Sequence, residues 1–107
     1  MNQGDVYWYT FRTPDKRCPV LILTRNSAIQ FLTGITIAPI TSTIRGIPSE
    51  VVLTVADGLF NDCAANFDNM QTIQKVQLST FITHLSTAKM REVRAAIEFA
   101  LGFDTLI

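Results

Sequence analysis

Three polar stretches set between apolar runs hold the side chains with chemical reach: Lys16-Arg17-Cys18, Thr41-Ser42-Thr43 with Arg45, and Asp68-Asn69. A guanidinium presents a rigid fork of donors that matches the paired oxygens of a carboxylate or phosphate, and hydroxyls add neutral donors beside it. Such a set suits an anionic ligand. It does not suit a metal. Cys18 and Cys63 stand in no redox or metal-binding spacing, and with His84 as the only histidine they cannot close a zinc site. The chain has no glycine-rich nucleotide loop and no nucleophile elbow. Neither a metal nor a cofactor is expected, and catalysis by a pair of histidines is ruled out.

The elements that must position these groups are mostly strands. Gly4 to Phe11 is aromatic and β-branched, as a strand should be. Thr13-Pro14-Asp15-Lys16 reads as a turn. Pro19 to Thr24 is a near-continuous apolar run, suited to a strand buried on both faces. Arg25-Asn26-Ser27 opens a loop, and Gly34 to Ile40 alternates as a third strand. Pro39 belongs at its end, because proline cannot donate a ladder bond. Thr41 to Ser49 is a polar loop broken by Gly46 and Pro48; Glu50 to Leu53 is a short strand; Asp57-Gly58 is a turn. Asp62 to Ile73 holds two short strands or one bent one, and Val76 to His84 alternates as a last strand.

The C-terminal part has helical periodicity, with Met90, Val93, Ile97, Ala100 and Leu101 on one face. Ser86 is placed to cap its start, Leu85 and Met90 to staple it, and Gly102 to end it, predicting a helix from about Thr87 to Leu101. Strands followed by one helix, without βαβ alternation, imply a mainly β, α+β fold: a curled antiparallel sheet with the helix packed on it.

The length of 107 residues suits one domain, residues 1–107, with no room for a second core. Nearly half the residues are hydrophobic (48%), so some apolar area is expected outside the core, as in an oligomer. Nine basic and nine acidic side chains cancel, so net charge names no partner. No apolar run approaches the roughly 18 residues a membrane helix needs, and the first residues lack a signal-peptide layout. A cytoplasmic protein with two free thiols is expected.

Taken in order, Gly4-Asp5-Val6-Tyr7-Trp8, Arg17-Cys18-Pro19-Val20-Leu21-Ile22-Leu23, Ala38-Pro39-Ile40-Thr41-Ser42, Ile47-Pro48-Ser49-Glu50-Val51 and Asp68-Asn69-Met70-Gln71-Thr72-Ile73 resemble the MazF/PemK family of toxin ribonucleases. The resemblance spans nearly the whole chain. It implies an SH3-like barrel, a homodimer, and metal-independent, sequence-selective cleavage of single-stranded mRNA, neutralised by a cognate antitoxin. It also implies that Thr41 is catalytic, paired with an arginine just before the second strand's proline. That position holds Cys18 here. Arg17 lies one residue early, and one step along a regular strand turns a side chain to the opposite face unless a bulge or turn re-aims it. The family's longer loop between the first two strands is shortened to Thr13–Lys16, leaving Asp15 near the place where some members carry a glutamate.

On this reading Arg17 and Thr41 carry catalysis, while Lys16, Ser42, Thr43, Arg45, Asp68 and Asn69 contact RNA. The residues keep plainer alternatives. Thr41 equally fits a turn-capping hydroxyl, Asp68 and Asn69 a structural turn, and Cys18 either core or the mark of an attenuated site. Tyr7, Trp8, Tyr9 and Phe11 fit the core better than base stacking, Cys63 fits a buried small hydrophobe, and His84 fits a strand end. Two competing functions remain: a non-catalytic, CcdB-like toxin that inhibits a protein such as DNA gyrase, and a MazF-like protein that only binds.

Overall fold

The computed structural model describes residues 1–12 and 16–105. The expected turn at residues 13–16 therefore lies, apart from Lys16, outside the described residues, as does Asp15. Two strands form the centre: β1 (Asp5–Phe11) and β2 (Lys16–Ile22), antiparallel in unbroken register from Val6 opposite Leu21 to Phe11 opposite Lys16. β2 starts earlier than the apolar run suggested, so Lys16, Arg17 and Cys18 lie within the strand and not before it. Five further strands follow: β3 (Gly34–Thr41), β4 (Glu50–Leu53), β5 (Cys63–Asn66), β6 (Gln71–Gln74) and β7 (Phe81–His84). The sheet order is β4-β5-β3-β2-β1-β7, with β6 also on β3, and every pairing is antiparallel.

The apolar run of β2 is explained by two cores, one on each side of it. Leu21 joins Val6, Ala38, Ile40, Leu53 and Phe67 in one, and Cys18, Val20 and Ile22 join Ile29, Ile35, Ile37 and Ile73 in the other. The first core is closed by the C-terminal helix, which contributes Val93 and Ala96, with Met90, Ile97 and Ala100 at its margin. This helix runs Thr87–Ala100, and Ser86 caps it by accepting from Lys89 N at 3.1 Å. Leu101 departs from the expected stripe: it is the terminal cap residue and 53% exposed. Before it, Asn26–Ile29 forms one helical turn, α1, where a loop was expected; it carries Ala28 and Ile29 into the interior. The long helix is α2.

Pro39 lies inside β3 and opposite Val20, not at the strand end. The reason is a change of neighbour. β3 pairs with β6 from Gly34 to Ile37 and with β5 at Ile40 and Thr41, so proline falls in the gap between two ladders, where no N–H is required. The last strand is also shorter than its alternation suggested. Lys75–Gln77 is a single 3₁₀ turn with Val76 89% exposed, and only Phe81–His84 is paired. A register shift at Val6/Tyr7 interrupts the β1–β7 ladder, leaving isolated bonds from Ser79 N to Trp8 O and Trp8 N to Thr80 O, both 2.9 Å.

The Asp57-Gly58 turn ends a 3₁₀ turn, Val55–Asp57, whose capping box is Thr54 and Asp57. Gly58 adopts φ +99°, and a Cβ there would overlap the Thr83 hydroxyl, which donates to Asp57 O at 3.1 Å. Gly58→Ala should therefore cost about 2–3 kcal/mol, from left-handed strain plus a lost hydrogen bond. A urea midpoint equal to that of the parent would refute this.

Candidate active site

The two halves of β3's change of neighbour part at the rim of the curled sheet, and an open cleft of about 760 Å³ lies there. Six of the eight expected site residues line it: Lys16, Arg17, Thr41, Ser42, Asp68 and Asn69. Thr43 and Arg45 do not. They belong to the loop after β3, where Glu50 Oε1 accepts from Arg45 N at 3.0 Å and Gly46 N at 3.2 Å and so fixes the loop's path. Among the described residues the charged side chains lining the cleft are Lys16, Arg17 and Asp68, two cations against one carboxylate, a balance that favours an anion.

Each polar group is held by its neighbours. Asp68 and Asn69 sit on a 3₁₀ turn, Phe67–Asn69, whose start is capped by the buried Asn66 accepting from Asp68 N at 2.9 Å. Asp68 Oδ2 accepts from the buried Ser49 hydroxyl at 2.6 Å, tying the turn to the loop after β3. Asn69 is exposed and lines the cleft. The Thr41 hydroxyl donates to Thr43 O at 3.1 Å, so the turn-capping role is realised.

Arg17 is exposed, and its guanidinium carbon lies 4.3 Å from the centre of the Trp8 ring. β2 shows no bulge, so Arg17 and Cys18 point to opposite sides of the strand. Cys18 joins the second core and is 8% exposed. Continuing the Val20–Pro39 register by two residues sets Thr41 opposite Cys18, not Arg17. Arg17 thus approaches the cleft from the Trp8 side. Its hold there is light: an exposed cation–π contact is worth about 0.5–1 kcal/mol. A hydrogen bond to a charged group is worth about 1.5–3 kcal/mol, enough to draw the guanidinium to a phosphate.

Trp8 corrects the expectation of a core residue. Tyr7, Tyr9 and Phe11 pack on the second core, but Trp8, at the alternate positions of β1, lines the cleft with its ring stacked on Phe60 at 5.6 Å between centroids. The alternation of β1 already separated Trp8 from its neighbours. Gln71, part of the Asp68–Ile73 motif but given no role there, also lines the cleft, as do Phe60 and Asn61, which no sequence signal marked.

Both thiols are free and Cys63 is buried, as expected; Cys18, for which core and an attenuated site both stood open, is buried too. Burial pushes the Cys18 thiol up, opposed weakly by Lys16; burial also raises Cys63, with Asp57 and Asp62 adding to it. Since the thiolate is the reactive form, both should react slowly with a disulfide reagent in the native protein and gain rate only above the ordinary thiol range of pH. Rapid native labelling of Cys18 near neutral pH would contradict its placement.

Fold and cleft together define a small curled antiparallel barrel with an open groove at its rim that Lys16, Arg17 and Asp68 line. The family of PemK-like, MazF-like toxins of type II toxin–antitoxin systems matches residues 2–101, and the chain belongs to that family. Endoribonuclease MazF3 of Mycobacterium tuberculosis is 38% identical over 93 residues, covering 87% of this chain and 90% of the relative. Probable endoribonuclease MazF2 of the same organism is 32% identical over 103 residues, covering 95% and 99%. Among solved structures, the Mycobacterium tuberculosis toxin MazF-mt6 superposes with a TM-score of 0.84 at 35% identity, covering 92% of this chain and 96% of its own. A mycobacterial endoribonuclease in complex with its cognate antitoxin gives 0.85 at 26% identity, covering 95% of each chain.

Proposed function

We propose that this protein is a metal-independent endoribonuclease that cuts single-stranded mRNA at selected sequences and is neutralised by a cognate antitoxin. The observation that carries this reading is that Lys16, Arg17 and Thr41 all line one open cleft, with Arg17 entering it from the Trp8 side. Its family, with relatives named as endoribonucleases, supports it and disfavours a gyrase-directed toxin.

In the proposed reaction the RNA 2′-oxygen bonds to phosphorus and the bond to the 5′-oxygen breaks, leaving a cyclic phosphate and a 5′-hydroxyl end. Negative charge builds on the phosphoryl oxygens between these events. Arg17 supplies paired charge-assisted donors to those oxygens and Thr41 Oγ1 a neutral one; donors fixed in advance gain most where charge develops. Arginine stays protonated at any physiological pH, so its role is electrostatic. With no imidazole in the cleft, the transferred protons pass through water, which the open site admits. Lys16 and Ser42 track the backbone, Thr43 and Arg45 extend that track along the adjoining loop, and Asp68 and Asn69 meet the exposed edges of unpaired bases.

The decisive experiment incubates the purified protein with a long single-stranded RNA in excess EDTA. Discrete fragments with 5′-hydroxyl ends are expected, and intact RNA at high protein concentration would overturn the reading. The assembly proposed is a two-fold homodimer acting in the cytoplasm, supported by exposed Phe31, Val55, Phe99, Leu101 and Phe103. A monomer in sedimentation at micromolar concentration would remove it.

A further inference from the structure

Phe60 is 67% exposed, although the chain on either side of it is anchored in the first core by Leu59, immediately before it and 4% exposed, and by Cys63, three residues on and 5% exposed. These anchors fix the short connection from the Gly58 cap to β5. Its ring lies within 18° of parallel to Trp8, so the side chain is oriented as well as exposed. Trp8 is engaged twice, by Phe60 and by the Arg17 guanidinium. What remains open to a ligand is the part of the 67% exposed Phe60 ring that Trp8 does not cover.

The surroundings decide what that ligand is. Phe60 lines the cleft beside Asn61, with Arg17, Lys16 and Asn69 among the other walls. An apolar peptide segment would meet cations and amides there. A nucleotide meets a matched set: an aromatic face for the base, amide edges for its hydrogen-bonding groups, and cations for the phosphate. We infer that Phe60 is the stacking platform for an unpaired base beside the phosphate that is cut, making it a positioning residue for RNA. This inference rests on the ribonuclease reading.

The test uses the intact protein, an uncleavable 2′-O-methyl oligonucleotide that spans a mapped cut site, and the matching cleavable RNA. Phe60→Ala and Phe60→Leu should weaken oligonucleotide binding by roughly 5- to 150-fold, the range expected for losing one base–aromatic contact. KM should rise by a similar factor with a smaller change in kcat. Phe60→Tyr, which keeps the aromatic face, should restore values near those of the parent, and an unchanged Tm in all three should exclude misfolding. If Phe60→Leu binds as tightly as the parent, apolarity alone suffices and stacking is wrong. If Phe60→Ala cuts and binds like an active parent, the platform fails while the ribonuclease reading stands, and the ring is left to a protein partner. A parent that neither binds nor cuts any RNA overturns both.

Discussion

Arg17→Ala is expected to lower kcat/KM for RNA cleavage by about 10²–10³, the usual effect of removing one fixed donor from developing negative charge. Stability should hardly change, because among the described residues the guanidinium's partner is the half-buried Trp8 ring at 4.3 Å, a contact worth about 0.5–1 kcal/mol. Arg17→Lys keeps the charge but loses the planar fork, so it should fall between parent and alanine. The register adds a second arm. Residue 18 lines the cleft and is the position set opposite Thr41 when the β2–β3 pairing is continued, so an arginine there starts from the Thr41 side of the strand, provided its guanidinium leaves the core for the cleft. Arg17→Ala combined with Cys18→Arg should recover about tenfold or more over Arg17→Ala alone. Full activity in Arg17→Ala, with no gain from Cys18→Arg, would show that neither guanidinium position serves the reaction.

The second large effect is at Thr41. Thr41→Ala should lose about 10²–10³ in kcat with a small change in KM, whereas Thr41→Ser, which keeps the hydroxyl, should retain most activity. The same hydroxyl caps a turn through Thr43 O at 3.1 Å. Losing that bond costs only about 0.5–1.5 kcal/mol of stability. Measuring Tm beside kcat therefore separates the roles: a small drop in Tm is expected either way, a catalytic hydroxyl adds the large loss in kcat, and a purely structural one leaves folded Thr41→Ala cutting RNA at the parent rate.

The strand pattern was legible because β2 and β3 are buried on two sides and α2 on one, and each condition leaves its own periodicity. Short elements were not. The α1 turn buries Ala28 and Ile29 but is only four residues long, too short to show a helical period, and Val76 alternates as a strand residue should while standing in solvent on a 3₁₀ turn. Pro39 misled for a different reason: that its missing donor falls between two ladders depends on which strands flank β3, which is long-range information. Six of eight candidate site residues converge on the cleft because they sit at adjacent strand ends, whereas Thr43 and Arg45 follow a loop whose path is set by Glu50. Phe60 carried no signal at all. An exposed aromatic next to a glycine turn looks in sequence like any other loop residue.

The vacancy beside Pro39 has a consequence for how such proteins diversify. The trough there is opened by main chain leaving one companion for another, and its banks are three surface connections: residues 42–49, 58–62 and 67–70. Surface connections accept changes of length and side chain at little folding cost. Sister proteins can thus keep an identical scaffold and reacting centre while rewriting the banks, and so come to favour different messages without relearning how to fold.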